Sequence, residues 1–216
     1  MNYNLKHLKN RPYAEEILNR ISSVIEYVSK LERENKIIVI AIDGRCSSGK
    51  TTISSFLSFI FGEDINSVVH MDDFFLPKEL RTPERLKIAG GNIHSERFLE
   101  EVIPFLRDSE FKYRKFDCST FDYSSFIEIK NKLIRIVEGS YSTHPIFGKY
   151  ADITIFSDIS FEEQKKRILK RNGEEKLKIF LEKWIPMEEQ YFKAFDIKNR
   201  VDFSIYSIFY YSLRNI

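Results

Sequence analysis

Cysteine is almost missing from this chain: Cys46 and Cys118 are the only two in 216 residues. Two thiols cannot make a disulfide framework, and they suit a reducing cytosol. Long apolar runs are missing too. None approaches the roughly 18 residues of a membrane span. The opening MNYNLKHLKNRPYAEE has no apolar segment of the secretory type. The expectation is a soluble, cytoplasmic protein. Neither sign of charge dominates, with 34 Lys and Arg against 32 Asp and Glu. A net charge of +2 therefore makes no demand for a nucleic acid or a membrane surface as partner. Internal repeats and low-complexity linkers are absent, and the four histidines and two cysteines show no zinc spacing. What is present is a composition 43% hydrophobic, enough to bury a core. The length fits one α/β domain or a domain with a small appendage.

Periodicity divides the chain into alternating elements. Ile17, Ile21, Val24, Ile25, Val28 and Leu31 recur at helical spacing, so about 13–33 reads as an amphipathic helix. Its expected place is the sheet edge. KIIVIAIDG is an unbroken β-branched run of the kind buried on both faces of a parallel sheet. A helix to about Gly62 follows, then a short strand SVVHMD. SERFLEEVIPFLRD reads as a helix with Ser95 as N-cap. FIEIKNKLIRIVEG reads as a hairpin or two strands, and ADITIFSD as a strand. FEEQKKRILKRNG is a helix stopped by Gly173. EEKLKIFLEKWIPMEEQYFKAF is helical with an interruption at Pro186, and VDFSIYSI is the last strand. Strand–helix alternation of this kind predicts a mainly parallel sheet with helices on both faces, an α/β three-layer α/β/α fold.

GRCSSGKT, Gly44 to Thr51, matches G-x-x-x-x-G-K-[ST] in full, with a strand before it and a helix after. Glycines let the backbone wrap phosphate oxygens, and the loop N–H groups and helix N-terminus offer fixed partial positive charge. Lys50 can reach the β- and γ-phosphates, and the Thr51 hydroxyl can ligate Mg²⁺. Gly44, Arg45, Cys46, Ser47, Ser48, Gly49, Lys50, Thr51 and Thr52 are the nucleotide-binding candidates. Cys46 reads as a small filler residue.

Phosphate-loop proteins include switches, motors and small-molecule kinases. The guanine reader Asn-Lys-x-Asp is missing; NKLI from Asn131 lacks the aspartate. No L-S-G-G-Q-like string is present. Instead VVHMDDFFLP ends a strand in acids, and carboxy ends of strands face the ligand crevice. Asp72, Glu138 and Asp158 occupy such ends. A kinase for an alcohol needs a carboxylate to take the hydroxyl proton, and Asp72 is expected on the strand next to the loop. A Walker-B-type Mg²⁺ ligand is the competing role for Asp72. Asp73 reads as a turn cap or a substrate contact. Phe74 and Phe75 would wall an acceptor pocket or simply pack in the core. His70 reads as a core histidine and His144 as a loop residue. Trp184 and Tyr191 read as core.

Together AIDGRCSSGKTT, HMDDFF, RIVEGSY and KKRILKRNG resemble the uridine kinase and phosphoribulokinase family of P-loop kinases, over about residues 37–195. The resemblance implies Asp72 as catalytic base, and Thr51, Glu138 and Asp72 around Mg²⁺. Lys50, Arg167 and Arg171 would act on the transferring phosphate, and Phe75 would contact a nucleoside. AGGNIHSERF resembles the acceptor segment, with Ile93 or His94 where uridine kinases carry an aspartate. YRKFDCST places Tyr113 as a base reader and Cys118 where a histidine stands. Asp73, Phe75, His94, Tyr113 and Arg85 thus form the implied substrate site. Arg81 and Arg85 could alternatively hold an anionic acceptor. The implied organisation is an N-terminal helical segment at 1–35 packed on a kinase domain at 36–216. An acceptor-site insertion falls at about 74–130 and a lid at about 167–185.

The implied activity is transfer of the ATP or GTP γ-phosphoryl to a primary hydroxyl, in the first place the 5′-OH of uridine or cytidine. The implied partners are a nucleoside triphosphate and a small-molecule alcohol, with a homo-oligomer compatible. Two alternatives stand beside it: another acceptor (pantothenate, a sugar phosphate, a vitamin riboside) or a non-catalytic nucleotide-binding regulatory module.

Overall fold

The computed structural model describes residues 14–31, 36–62, 68–130 and 133–207. Residues 13, 32 and 33 of the expected first helix lie outside the described residues. So do Ser67, Ile208 and the 131–132 turn of the expected FIEIKNKLIRIVEG hairpin.

The sheet grows outward from β1, Ile38–Gly44, in which every residue is buried. Its β-branched run suits a strand packed on both faces. Ile38, Ile40 and Ile42 face one side while Val39 and Ala41 face the other. The strands β2 (Val68–His70), β5 (Ile134–Glu138), β6 (Ile153–Asp158) and β7 (Phe203–Tyr206) complete a five-stranded sheet in the order β2-β5-β1-β6-β7. Every pairing is parallel.

One face is covered by α1, Ala14–Leu31, and α2, Lys50–Ile60. Ile17, Ile21, Val24 and Val28 form the buried stripe of α1, with Tyr27 edge-on to Phe203 of the outermost strand at 5.9 Å. The N-terminal helix therefore packs on a face of the sheet, above its β7 margin. Phe98 of α4 (Ser95–Glu101) and Tyr191 and Phe192 of α6 (Ile185–Ala194) are buried on the opposite face. Each fully buried apolar side chain of this kind contributes about 1.5–3 kcal/mol. The three-layer α/β/α expectation holds.

Several local expectations change. The two-stranded sheet is β3 (Phe111–Asp117) with β4 (Asp122–Ile129), Tyr113 opposite Ile127, and β4 does not pair with β5. The β3 strand escapes notice in the sequence because its FKYRKFD is rich in charge, and a register shift falls between Arg114 and Phe116. Gly173 interrupts its helix as expected, at the non-helical φ 80°, ψ 174°; a second helical stretch follows at once, and the two together are α5, Phe161–Ile179. Pro186 lies in the first turn of α6, where the missing N–H does no harm. The irregularity falls just before it, as a π turn at Phe180–Trp184. His94, not Ser95, caps α4, its Nδ1 accepting the Arg97 N–H at 3.4 Å. The α4 helix ends at Glu101, and Pro104 lies in the separate 3₁₀ turn Ile103–Phe105. Among the described residues no helix is long and apolar enough to cross a membrane.

Candidate active site

The loop leaves β1 at Gly44, whose φ is +135° and where a Cβ would lie 2.1 Å from the Ser157 carbonyl oxygen. Only glycine fits there. Gly49, at φ 101°, starts α2. Between them the loop is held by distant groups. The Arg45 guanidinium donates to Asp158 at 2.9 Å and also pairs with Glu189. The Cys46 N–H donates to Glu188 at 2.9 Å, and the Gln164 amide donates to the Cys46 carbonyl at 3.1 Å. Arg167 donates to the Ser47 carbonyl at 3.2 Å. The Lys50 ammonium lies 2.9 Å from the carbonyl oxygens of Gly44 and Arg45 and 3.2 Å from Ser140 Oγ. Buried polar atoms without partners are rare in folded proteins. Two of them, Ser47 Oγ and Ser48 Oγ, lie in this loop, which suits a ligand rich in oxygen. Thr52 is half-buried one residue into α2 beyond Thr51. Burial pushes the Cys46 thiol well up and the Glu188 charge adds to this, so the thiolate is disfavoured.

Asp43 escapes a reading of the sequence, although it closes the apolar run of β1. Its carboxylate is fully buried. Oδ1 accepts the N–H groups of Gly44 at 2.6 Å and Tyr141 at 2.9 Å. Oδ2 accepts the Thr143 N–H at 3.0 Å and hydroxyl at 2.6 Å, and the Tyr191 hydroxyl at 2.7 Å. One acid thus ties the start of the phosphate loop to the segment after β5 and to α6. Burial, with Asp43 adding, holds the Tyr191 hydroxyl well above the usual phenol range.

The two strand-end acids are placed differently from the expectation for Asp72. On this side the strand beside β1 is β5, and it carries Glu138; β2 lies one position further out. Asp72 follows β2 in the 3₁₀ turn Met71–Phe74. Glu138 is buried, and both its contacts fall on Oε1: the Thr51 hydroxyl at 3.2 Å and His70 Nδ1 at 2.7 Å. His70 is consequently no core histidine; its side chain is 39% exposed and faces the acids. Burial alone would lower its pKa, but the hydrogen bond and charge of Glu138, with Asp73 and Asp72, raise it. Asp72 lies in a recess: solvent reaches it, yet protein crowds its other sides. That crowding raises its carboxyl pKa, Glu138 adds to the shift, and Lys50 and His70 oppose it. Among the described residues Asp72 makes no hydrogen bond or ion pair.

The implied substrate residues are largely engaged with the protein itself. Asp73 is buried, accepts the Tyr113 hydroxyl at 2.8 Å and lies 3.8 Å from Lys115. Burial raises its pKa against the pull of Tyr113 and Lys115. Tyr113 is 1% exposed. Phe74 is core, edge-on to Phe98 at 5.1 Å, while Phe75 is half-buried and bridges Ile93. His94 serves as the helix cap, and burial lowers its pKa. Arg85 donates to the carbonyls of Gly91 and Ile93 and pairs with Glu96 at 2.8 Å. Arg81 donates to the Leu76 carbonyl at 2.7 Å and stacks 4.9 Å over Phe121. Burial lifts the Cys118 thiol, with Arg81 opposing and Asp72 adding. His144 lies face to face with Tyr191, ring centroids 5.4 Å apart, and its Nδ1 accepts the Ile146 N–H. Of the two helix arginines, Arg167 is buried against the loop, while Arg171 is exposed and donates to Asn172 at 2.7 Å.

A phosphate loop after the central strand, in a parallel sheet whose strands run 2-3-1-4-5 in chain order, with acids at the ends of the two strands on one side, defines a P-loop NTPase fold. Solved structures agree. A possible uridine kinase from Bacillus stearothermophilus superposes with a TM-score of 0.64 over 88% of this chain and 99% of its own, at 19% identity. A proposed fructose transport system kinase from Silicibacter sp. TM1040 gives 0.56 over 78% and 89%, at 17% identity. At such identities the likeness shows the fold. No model of a known protein family matches the chain, and no curated protein matches it.

Proposed function

We propose that the chain is a small-molecule kinase that moves the γ-phosphoryl group of ATP or GTP onto a primary hydroxyl. The 5′-OH of uridine or cytidine is the first acceptor to test. One observation carries the reading: Asp72, with no partner among the described residues, follows β2 beside β5, whose Glu138 bonds His70 at 2.7 Å, at the end of the sheet that bears the loop.

The chemistry follows from these positions. Loop N–H groups, the N-terminus of α2 and Lys50 hold the β- and γ-phosphates. The acceptor oxygen forms a bond to the γ-phosphorus as the bond to the β–γ bridging oxygen breaks and ADP leaves. Asp72 takes the hydroxyl proton, and its raised pKa brings it nearer the range useful for a base at neutral pH. Arg167 stands at the loop to neutralise charge on the phosphoryl oxygens. Arg171 would join it only with a shift of α5. The Thr51 hydroxyl and the Glu138 carboxylate, both hard oxygen donors, fit Mg²⁺, which would be shared with substrate phosphates, while Asp72 is kept for the proton. When bound, Mg²⁺ supplies charge neutralisation for those phosphates. Both cysteines are free, which supports a cytoplasmic place for this activity.

A second acceptor class is favoured by the use of Tyr113 and His94 within the protein. With these occupied, Lys115, 3.8 Å from Asp73, and Arg81, whose charge acts with that of Asp72 on Cys118, suit an alcohol bearing phosphate or carboxylate.

The test is coupled ADP release with uridine, cytidine, vitamin ribosides, pantothenate and ribulose 5-phosphate. Stimulation by a neutral nucleoside supports the first reading, and stimulation only by the anions supports the second. If no acceptor raises turnover above the water background while ATP still binds, a non-catalytic nucleotide-binding module takes the place of both.

A further inference from the structure

The phosphate loop already touches an anion that belongs to the protein. Glu188, in the first turn of α6, is 5% exposed. Its Oε2 accepts the Cys46 N–H at 2.9 Å, and its Oε1 accepts the Ser140 hydroxyl at 2.7 Å. The same Ser140 oxygen lies 3.2 Å from the Lys50 ammonium and 3.0 Å from the Gly44 carbonyl oxygen. One carboxylate is thereby linked to a loop N–H and to the loop lysine, the kinds of group such a loop directs at phosphate. A buried carboxylate is costly unless charged or polar partners satisfy it. Glu188 makes no ion pair among the described residues, so its satisfaction comes from a loop N–H and from the Ser140 hydroxyl beside the loop. The next residue, Glu189, pairs with Arg45, so two consecutive acids of α6 grip the first residues of the loop.

We propose, resting on the nucleotide reading above, that Glu188 is a positioning residue that competes with the terminal phosphate of the nucleotide. It holds the Cys46 N–H and the Ser140–Lys50 contact, and it yields them as the phosphate arrives. The sign of the effect follows from electrostatics. Two anions drawn to the same donors in a partly buried site repel strongly, far more than they would in water. Wild-type Glu188 therefore weakens triphosphate binding. The penalty falls on the γ-phosphate, so it discriminates against ATP relative to ADP and eases release of the bound triphosphate. An acid that merely braced the loop would have the opposite sign, because its removal would loosen the loop and weaken both nucleotides.

The test is equilibrium titration of the full chain with fluorescent analogues of ATP and ADP, for wild type, Glu188→Gln and Glu188→Asp. Glu188→Gln is expected to tighten ATP about tenfold while ADP changes by less than about threefold. Glu188→Asp, which draws the charge back by one methylene, should move in the same direction by a smaller factor. If circular dichroism shows that the glutamine variant has not folded, Glu188→Asp decides alone. Unchanged or weaker ATP binding in the folded variants, or equal gains for ATP and ADP, overturns the proposal. A wild-type protein that binds neither nucleotide refutes the nucleotide reading itself and the Glu188 proposal with it.

Discussion

The phosphate side and the acceptor side of the site use polar residues in opposite ways. Around the loop, Asp43, Glu188, Ser140 and Arg167 are buried and spend their bonds fixing backbone. Asp72 stays accessible and makes no bond among the described residues. On the acceptor side, the residues that resemble readers of a nucleoside are themselves spent on structure: Tyr113 on Asp73, His94 on a helix cap, Arg85 on Glu96 and nearby carbonyls. Under the proposed kinase reading, the contrast teaches that one side of a site can be arranged for phosphoryl transfer while the residues that resemble nucleoside readers serve packing and capping.

Mutation can break this contrast in graded steps. Asp72→Asn is expected to lower turnover by roughly 10²–10⁴ with ATP affinity nearly kept, measured by coupled ADP release beside nucleotide titration. Normal turnover in this variant would remove Asp72 as base. Asp43→Ala leaves several buried donors unmatched and should destabilise the fold by at least about 3 kcal/mol in urea unfolding. A loss under about 1 kcal/mol would show that its bonds are replaceable. Tyr113→Phe deletes one buried hydrogen bond and should lower stability by about 1–2 kcal/mol while leaving acceptor KM within about threefold. A large KM rise with stability intact would return Tyr113 to substrate reading. The smallest effect concerns pH. Asp72 must be ionised to accept a proton, and burial with Glu138 raises its pKa. Activity should therefore be lost on acidification at a higher pH than the roughly 3.9 of an ordinary aspartate. An acid limb at or below that value would contradict the assignment.

What the sequence makes legible is local. The loop can be read because its glycines, lysine and threonine must stand at fixed spacing, and β1 because its burial needs an unbroken apolar run. Arg167 is legible through its helix. The rest is assembled from far apart: Tyr141 reaches Asp43 across 98 positions and Glu188 reaches Cys46 across 142. The first acid of EEQYF carries no sign of such a partner. His70 misleads for a related reason: its neighbours in sequence are apolar, while the neighbour that decides its environment is Glu138 on the adjacent strand. The β3 strand is hidden by its charges, while the break within α5 at Gly173 is legible because its positive φ favours glycine.

A crystal structure of the protein with a non-hydrolysable ATP analogue and Mg²⁺ bears most directly on whether one end of this sheet unites a triphosphate cradle with a proton acceptor. The γ-phosphate is expected against the loop and Lys50, with the Asp72 carboxylate facing it across a gap wide enough for a hydroxyl group. An analogue bound elsewhere, or an Asp72 turned away with protein filling the gap, would contradict it.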